Sequence, residues 1–305
     1  MQAIYLNPLT DFGFKKLFGE EPHKDLLISF LNTLLPERHQ IADLQYTKNE
    51  YQGITQTDRK AIFDLNCISH TGERFIVELQ KVKQMFFKDR SIYYSSFAIQ
   101  EQAQRGDWDY KLKAVYTIGI LDFIMDDEQS EVLYHAQLKD QLNRVFYDKL
   151  NFIYLVLPRF QKSVEQLETL QDKWLYVFKH LPELDSVPQV LHEEIFHRTF
   201  TIAQLAQFSP DERKAYEDSI KYYRDLKNSY DTAHQEGWVE GLEAGEQLGL
   251  VKGREEGEQI GIAKGEQQAL LKLLQGMQAQ GLSVAVMASV SGLSEAAVVD
   301  LLASA

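Results

Sequence analysis

Hydrophobic and polar positions change their spacing several times along the chain, and each change marks an element. Asn7-Pro8-Leu9-Thr10-Asp11 ends in residues that cap helices. It precedes Phe12, Phe14, Leu17 and Phe18, whose spacing predicts a first helix or turn over 12–18. A second helix is expected over 26–32, stopped by Pro36, followed by a short strand over 41–46. The stretches 61–68 and 74–80 read as strands flanking Ser69-His70-Thr71-Gly72-Glu73, which predicts a β-hairpin whose Gly72 takes the positive φ of a tight turn. A helix follows over 88–104, ending near Gly106. The nearly unbroken apolar run 113–123 has the pattern of a strand buried on both faces. Further strands are expected at 132–135 and 152–157. Beyond Pro158 the spacing turns helical, over 164–181, 195–207 and 211–230.

The expected class is therefore α/β, a mixed sheet flanked by helices, with an α-helical C-terminal region. Four segments are expected, at 1–160, 161–232, 233–268 and 269–305. In the third, glycine recurs at every fourth position from Gly237 through Gly241, Gly245, Gly249, Gly253, Gly257 and Gly261 to Gly265. Each costs a helix about 1 kcal/mol relative to alanine, roughly 8 kcal/mol for the eight, so an isolated helix needs an offset. A period of four exceeds 3.6, which winds the stripe around the helix and lets another backbone approach closely. Oligomerisation through this segment is the expected offset, with a flexible linker as the alternative. The tail reads as three short helices divided at Gly281 and Gly292, a spacing reminiscent of a helix-turn-helix. Its last helix opens Ser294-Glu295-Ala296-Ala297-Val298-Val299-Asp300, without a cation for phosphates, which favours a protein contact over DNA reading.

Composition narrows the function. With 44% hydrophobic and 11% aromatic residues the chain can bury a sizeable core. A net charge of −13 argues against a histone-like or generally basic nucleic-acid binder, although a local cation cluster or a metal could still govern one cleft. The single Cys67 rules out a disulfide framework and a cysteine-based zinc site. Met1-Gln2-Ala3-Ile4-Tyr5 lacks the pattern of a secretory signal, and no apolar run reaches 18 residues. A cytoplasmic protein with no membrane partner is expected.

The hairpin carries the candidate chemistry. With the turn centred near Thr71, antiparallel pairing sets Asp64 opposite Glu78, and Gln80 shares the face of Glu78. Like charges directly opposed in a sheet destabilise it. Among Ile62, Phe63, Leu65, Ile76 and Val77, such a pair calls for a neutralising partner, and a divalent cation such as Mg²⁺ (or Mn²⁺) is suited to that place. The competing reading is a solvent-facing acidic edge.

The order of elements, with Asp64 on one strand and Glu78-x-Gln80 on the next, resembles the PD-(D/E)XK nuclease superfamily. Leu9-Thr10-Asp11-Phe12-Gly13-Phe14-Lys15-Lys16-Leu17-Phe18-Gly19, Phe63-Asp64, Val77-Glu78-Leu79-Gln80, Arg90-x-x-Tyr93-Tyr94 and the glycine-every-four tail together resemble, more narrowly, the Rpn family of bacterial recombination-promoting nucleases and transposases. The resemblance covers essentially the whole chain. It implies metal-dependent hydrolysis of DNA phosphodiesters, with Asp64 and Glu78 as Mg²⁺ ligands, the Leu79 carbonyl as a third, and Asp11 as a further acidic contributor. Gln80 occupies the position where the wider superfamily has lysine. It can orient a water but brings neither charge nor a useful pKa. Lys81 lies on the opposite strand face, while Lys83, Lys88 and Arg90 are the expected phosphate contacts. Two other readings stay open: a scaffold that keeps the fold for assembly, and a transposase in which a DNA hydroxyl replaces water.

Overall fold

In the computed structural model Thr10 begins the first helix as expected: its hydroxyl accepts the Gly13 N–H at 3.0 Å, and α1 spans Asp11–Phe18. The structure describes residues 3–51, 61–103, 109–125 and 130–303. Helix α2 (Lys24–Asn32) follows, then strands β1 (Leu44–Tyr46), β2 (Glu50–Tyr51), β3 (Ala61–Ile62), β4 (Leu65–Ser69) and β5 (Arg74–Gln80). Gly72 turns the β4–β5 hairpin with φ +98°. Helix α3 (Phe87–Gln100) leads to β6 (Val115–Leu121), buried along its whole length as the apolar run required. Helix α3 stops at Gln100, short of the expected 104, and residues 101–102 form a turn; Gln104 and Gly106 themselves lie outside the described residues. Strands β7 (Leu133–Lys139) and β8 (Val145–Val156) complete a six-stranded mixed sheet in the order β1-β4-β5-β6-β8-β7. Its central pairs β5/β6 and β6/β8 are parallel, and β1/β4, β4/β5 and β7/β8 are antiparallel.

The helical stretch after the sheet starts later than expected, at α4 (Leu170–His180). There the Thr169 hydroxyl accepts the Asp172 N–H at 3.0 Å and Asp172 accepts the Thr169 N–H at 3.1 Å, which fixes the helix start. Helix α5 (Glu194–Ala203) precedes α6 (Pro210–Ala279), a single helix where the sequence suggests three pieces. No proline follows Pro210, and the Glu, Lys, Gln and Leu between the glycines are good helix formers, so nothing in the backbone terminates it. Helices α7 (Val284–Ser291) and α8 (Glu295–Ala303) are set off by Gly281 at φ +76° and Gly292 at φ +71°, the two expected breaks.

The chain divides into two units, Met1–Asp231 and Thr232–Ala305. In the first, alternation along β5 sends Phe75, Val77 and Leu79 to one sheet face, where they join a large core with Phe14, Phe18, Phe30, Trp174, Phe178 and Phe200 from α1, α2, α4 and α5. Ile76, Glu78 and Gln80 point to the other face. There Ile76 packs with Ala98 of α3, and Phe87 of α3 packs with Leu121 and Tyr154. Helix α3 lies close to the sheet: a Cβ on Gly119 would stand 3.3 Å from the Phe87 ring and 2.8 Å from that of Tyr154. The second unit has a small core of its own, Leu274, Met287, Ala288 and Val298. Among the described residues no single helix is long and apolar enough to cross a membrane.

Candidate active site

The acidic pair sits where the hairpin ladder stops. The last paired residues are Leu65 and Val77, and one further step of that register sets Asp64 opposite Glu78, as the turn position predicts. The first arm is nevertheless not one continuous strand. Phe63 donates its N–H to the Asn49 carbonyl at 2.8 Å, Asp64 lies at a bend, and β3 pairs with β2 instead. The reason is a side chain: Asp64 Oδ2 accepts the Leu79 N–H at 2.6 Å, taking the place a ladder carbonyl would fill. Glu78 is held from both sides, by the Asp64 N–H at 3.4 Å on Oε1 and by the Gln80 amide at 3.4 Å on Oε2. Asn49, to which no sequence signal drew attention, steadies the bend: its amide donates to the Asp64 carbonyl at 3.2 Å and its Oδ1 accepts the Asn66 N–H at 3.1 Å.

A backbone acceptor faces the same gap. The Gln80 carbonyl accepts the Asp122 N–H at 2.9 Å on the β6 side, and successive residues of a strand direct their N–H and C=O to opposite edges. The Leu79 carbonyl therefore points with its N–H toward Asp64. Glu78 is only 7% exposed, and Gln80 is buried beside it. Burial, joined by the charge of Asp64, pushes the Glu78 carboxyl up to about 8, against the pull of Arg90 and of the two hydrogen bonds. Burial also raises Asp64; the Leu79 N–H opposes this, the Asp11 charge adds to it, and Lys15 and Lys81 draw it down.

The other expected residues are arranged less uniformly. Asp11 does not join Asp64 and Glu78 in one ligand cluster; its Oδ1 accepts the Lys81 ammonium at 2.8 Å. Among the described residues no group of three or more His, Cys, Asp and Glu side chains gathers as a metal site. Lys81 does leave the face of Gln80, as alternation requires, but that direction brings it to the start of α1, with its ammonium 5.2 Å from the Tyr222 ring centroid. Its proximity to the acidic site depends on residues 70 positions apart in the chain, which no local pattern displays. Lys83 and Lys88 are exposed. Arg90 is half-buried, donating from Nη1 to Gln84 Oε1 at 2.5 Å, with its guanidinium carbon 5.8 Å from the Phe87 ring and 5.7 Å from the Tyr94 ring.

A family model described as PD-(D/E)XK nuclease family transposase matches residues 8–233. The chain belongs to that family. The match takes in every element that builds the acidic site, from Asp11 on α1 to Tyr222 on α6. Neither a curated protein nor a solved structure matches the chain. The mixed sheet flanked by helices, followed by a helical C-terminal region, is in keeping with a PD-(D/E)XK core, and membership supports a nuclease-like function. The donors here suit the divalent metals that PD-(D/E)XK nucleases generally use: two hard carboxylates and a backbone carbonyl at one water-poor sheet end, with no thiolate or imidazole among them.

Proposed function

We propose that this PD-(D/E)XK family member is an Mg²⁺- or Mn²⁺-dependent endonuclease that hydrolyses DNA phosphodiesters in recombination- or transposition-like processing. The observation that carries this reading is the convergence of Asp64, Glu78 and the Leu79 carbonyl where the β4–β5 ladder ends. Asp64, Glu78 and that carbonyl would hold the ion, which supplies charge neutralisation at phosphate and a more acidic bound water. Gln80 spends one amide hydrogen on Glu78 and keeps its carbonyl oxygen to orient a water. Positive charge comes from outside the motif: Lys81 is anchored by Asp11, and Arg90 lies where its charge acts on Glu78. Lys83 and Lys88, exposed beyond β5, are proposed to meet phosphates along the strand.

Supercoiled plasmid with Mg²⁺ or Mn²⁺ tests this directly. The native protein should nick it, and Asp64→Ala and Glu78→Ala should each reduce the rate by about a hundredfold or more while remaining folded. An inactive native protein, or nicking that survives both substitutions, would instead support an assembly scaffold, a reading that the uncharged Gln80 and the net charge of −13 favour.

We further propose that the protein self-associates through the glycine-repeat segment of α6. Every residue from 231 to 269 is exposed in the single chain, and a Cβ at any of the eight repeat glycines would meet nothing within 4 Å. A second copy lying along that stripe would offset the roughly 8 kcal/mol the glycines cost the helix. The full chain should then sediment as a dimer or larger and a chain ending at residue 231 as a monomer; identical subunit numbers for the two would exclude this role.

A further inference from the structure

Beside the acidic pair lies a cleft of about 550 Å³ whose walls are unusual for a protein surface. Met85 is 89% exposed, Phe86 69% and Tyr93 45%, and they meet Tyr94, Arg90 and Asp89 around one depression. Single exposed apolar side chains need no explanation, but a contiguous set lining a concavity marks a contact site. The cleft borders the proposed catalytic centre through two links. Phe63, the neighbour of Asp64, packs edge-on against Tyr94 at 4.9 Å, and the charge of Arg90 acts on Glu78. Arg90 Nη2 is also buried without a hydrogen-bond acceptor, a costly state for a charged donor.

We propose that this cleft receives an unstacked nucleobase of the DNA being cut, so that the substrate is single-stranded or locally melted DNA rather than intact duplex. The proposal rests on the nuclease reading above and adds the substrate class to it. The chemistry of the walls favours a base over a phosphate backbone. They supply aromatic faces, a polarisable thioether and one guanidinium beside Asp89, not a row of cations, and the protein as a whole is acidic. Aromatic side chains bind bases by stacking, with about 1–3 kcal/mol per base and little sequence preference. A duplex keeps its base faces covered, and exposing one costs a few kcal/mol, which single-stranded DNA does not incur.

The test uses the full-length protein carrying Asp64→Ala to prevent cleavage, with Mg²⁺ present, and fluorescence anisotropy of a labelled oligothymidylate, an abasic strand of equal length and a duplex of equal length. The oligothymidylate should bind most tightly. Phe86→Ala and Tyr93→Ala should each weaken it about tenfold, the loss of roughly one stacked base, with little effect on the abasic strand. Tyr93→Phe, which keeps the ring, should bind like the parent. Equal affinity for the three DNAs, or oligothymidylate binding indifferent to both alanine substitutions, would overturn the proposal and leave the patch to a protein partner. The two readings fail separately. Plasmid nicking with no aromatic dependence removes only the base site, whereas aromatic-dependent binding without nicking by the native protein removes only the catalytic reading.

Discussion

At about pH 9 the metal-free Glu78→Gln protein should melt well above the native chain, and the gap should close as the pH falls toward about 4.5. The folded-state pKa of Glu78 is raised, to about 8, because the carboxyl is buried beside Asp64. At pH values below the ordinary glutamate range both folded and unfolded states hold the proton, and the site has no effect on stability. Between that range and about 8 the folded state keeps a proton that the unfolded state has released, so native stability declines as pH rises. Above about 8 both states are ionised and the full penalty is present, on the order of several kcal/mol from the size of the shift. The amide introduced by Glu78→Gln would escape it while retaining a carbonyl for the Asp64 N–H or the Gln80 amide, so the difference in melting temperature should be on the order of 10 °C. Mg²⁺ should restore most of the lost stability to the native chain at high pH and none to Glu78→Gln, which should also fail to nick plasmid. The same linkage makes cleavage by the native protein rise with pH up to about 8, because a cation must displace the proton that Glu78 holds. Melting curves of the metal-free native chain that stay flat between pH 5 and 9 would show that the pair is not buried as described.

Trp174→Ala should destabilise the first unit by about 3–5 kcal/mol, measured by chemical denaturation. The indole is fully buried, with its ring centroid 5.7 Å from Phe18, 6.2 Å from Phe30 and 5.0 Å from Phe196, and it donates to Ser29 Oγ at 3.1 Å. Truncation leaves a cavity among aromatic rings that cannot close, and Ser29 loses its donor. Trp174→Phe should cost less, since a ring still fills most of the space. The consequence reaches the acidic site through α1, which is packed in this core by Phe14 and Phe18 and carries Asp11 at its first turn. Nicking by Trp174→Ala should accordingly be near normal at low temperature and disappear on warming before that of the native protein. A loss below about 1 kcal/mol would mean that α4 is not a working part of the same core.

The features legible in the chain's own spacing are local ones. The turn residues around Gly72, together with a side-chain period of two, are enough to set Asp64 opposite Glu78, and the register from Leu65–Val77 to Ile68–Arg74 follows from that turn. The double-sided burial of β6 is legible in its unbroken apolar run, and Gly281 and Gly292 mark the ends of the tail helices. These features depend on neighbours a few residues away, which is why spacing alone reveals them. The continuity of α6 escapes such a reading because glycine weakens a helix without ending it.

How the acidic pair is held, and what charge surrounds it, follow instead from packing between distant segments. Asp64 leaves the strand because its carboxylate captures the Leu79 N–H, a choice between side chain and backbone that propensity does not contain. Lys81 and Asp11 meet only because the face opposite Gln80 is the one α1 packs against. Tyr223 and Lys227 of α6 close on Asp122 at the end of β6, at 2.6 and 3.3 Å, across more than a hundred residues of chain. A carboxylate on one strand can be read from its own sequence, but its neutralising partner is chosen by the packing of distant helices, because electrostatic energy depends on distance in space and not on separation along the chain.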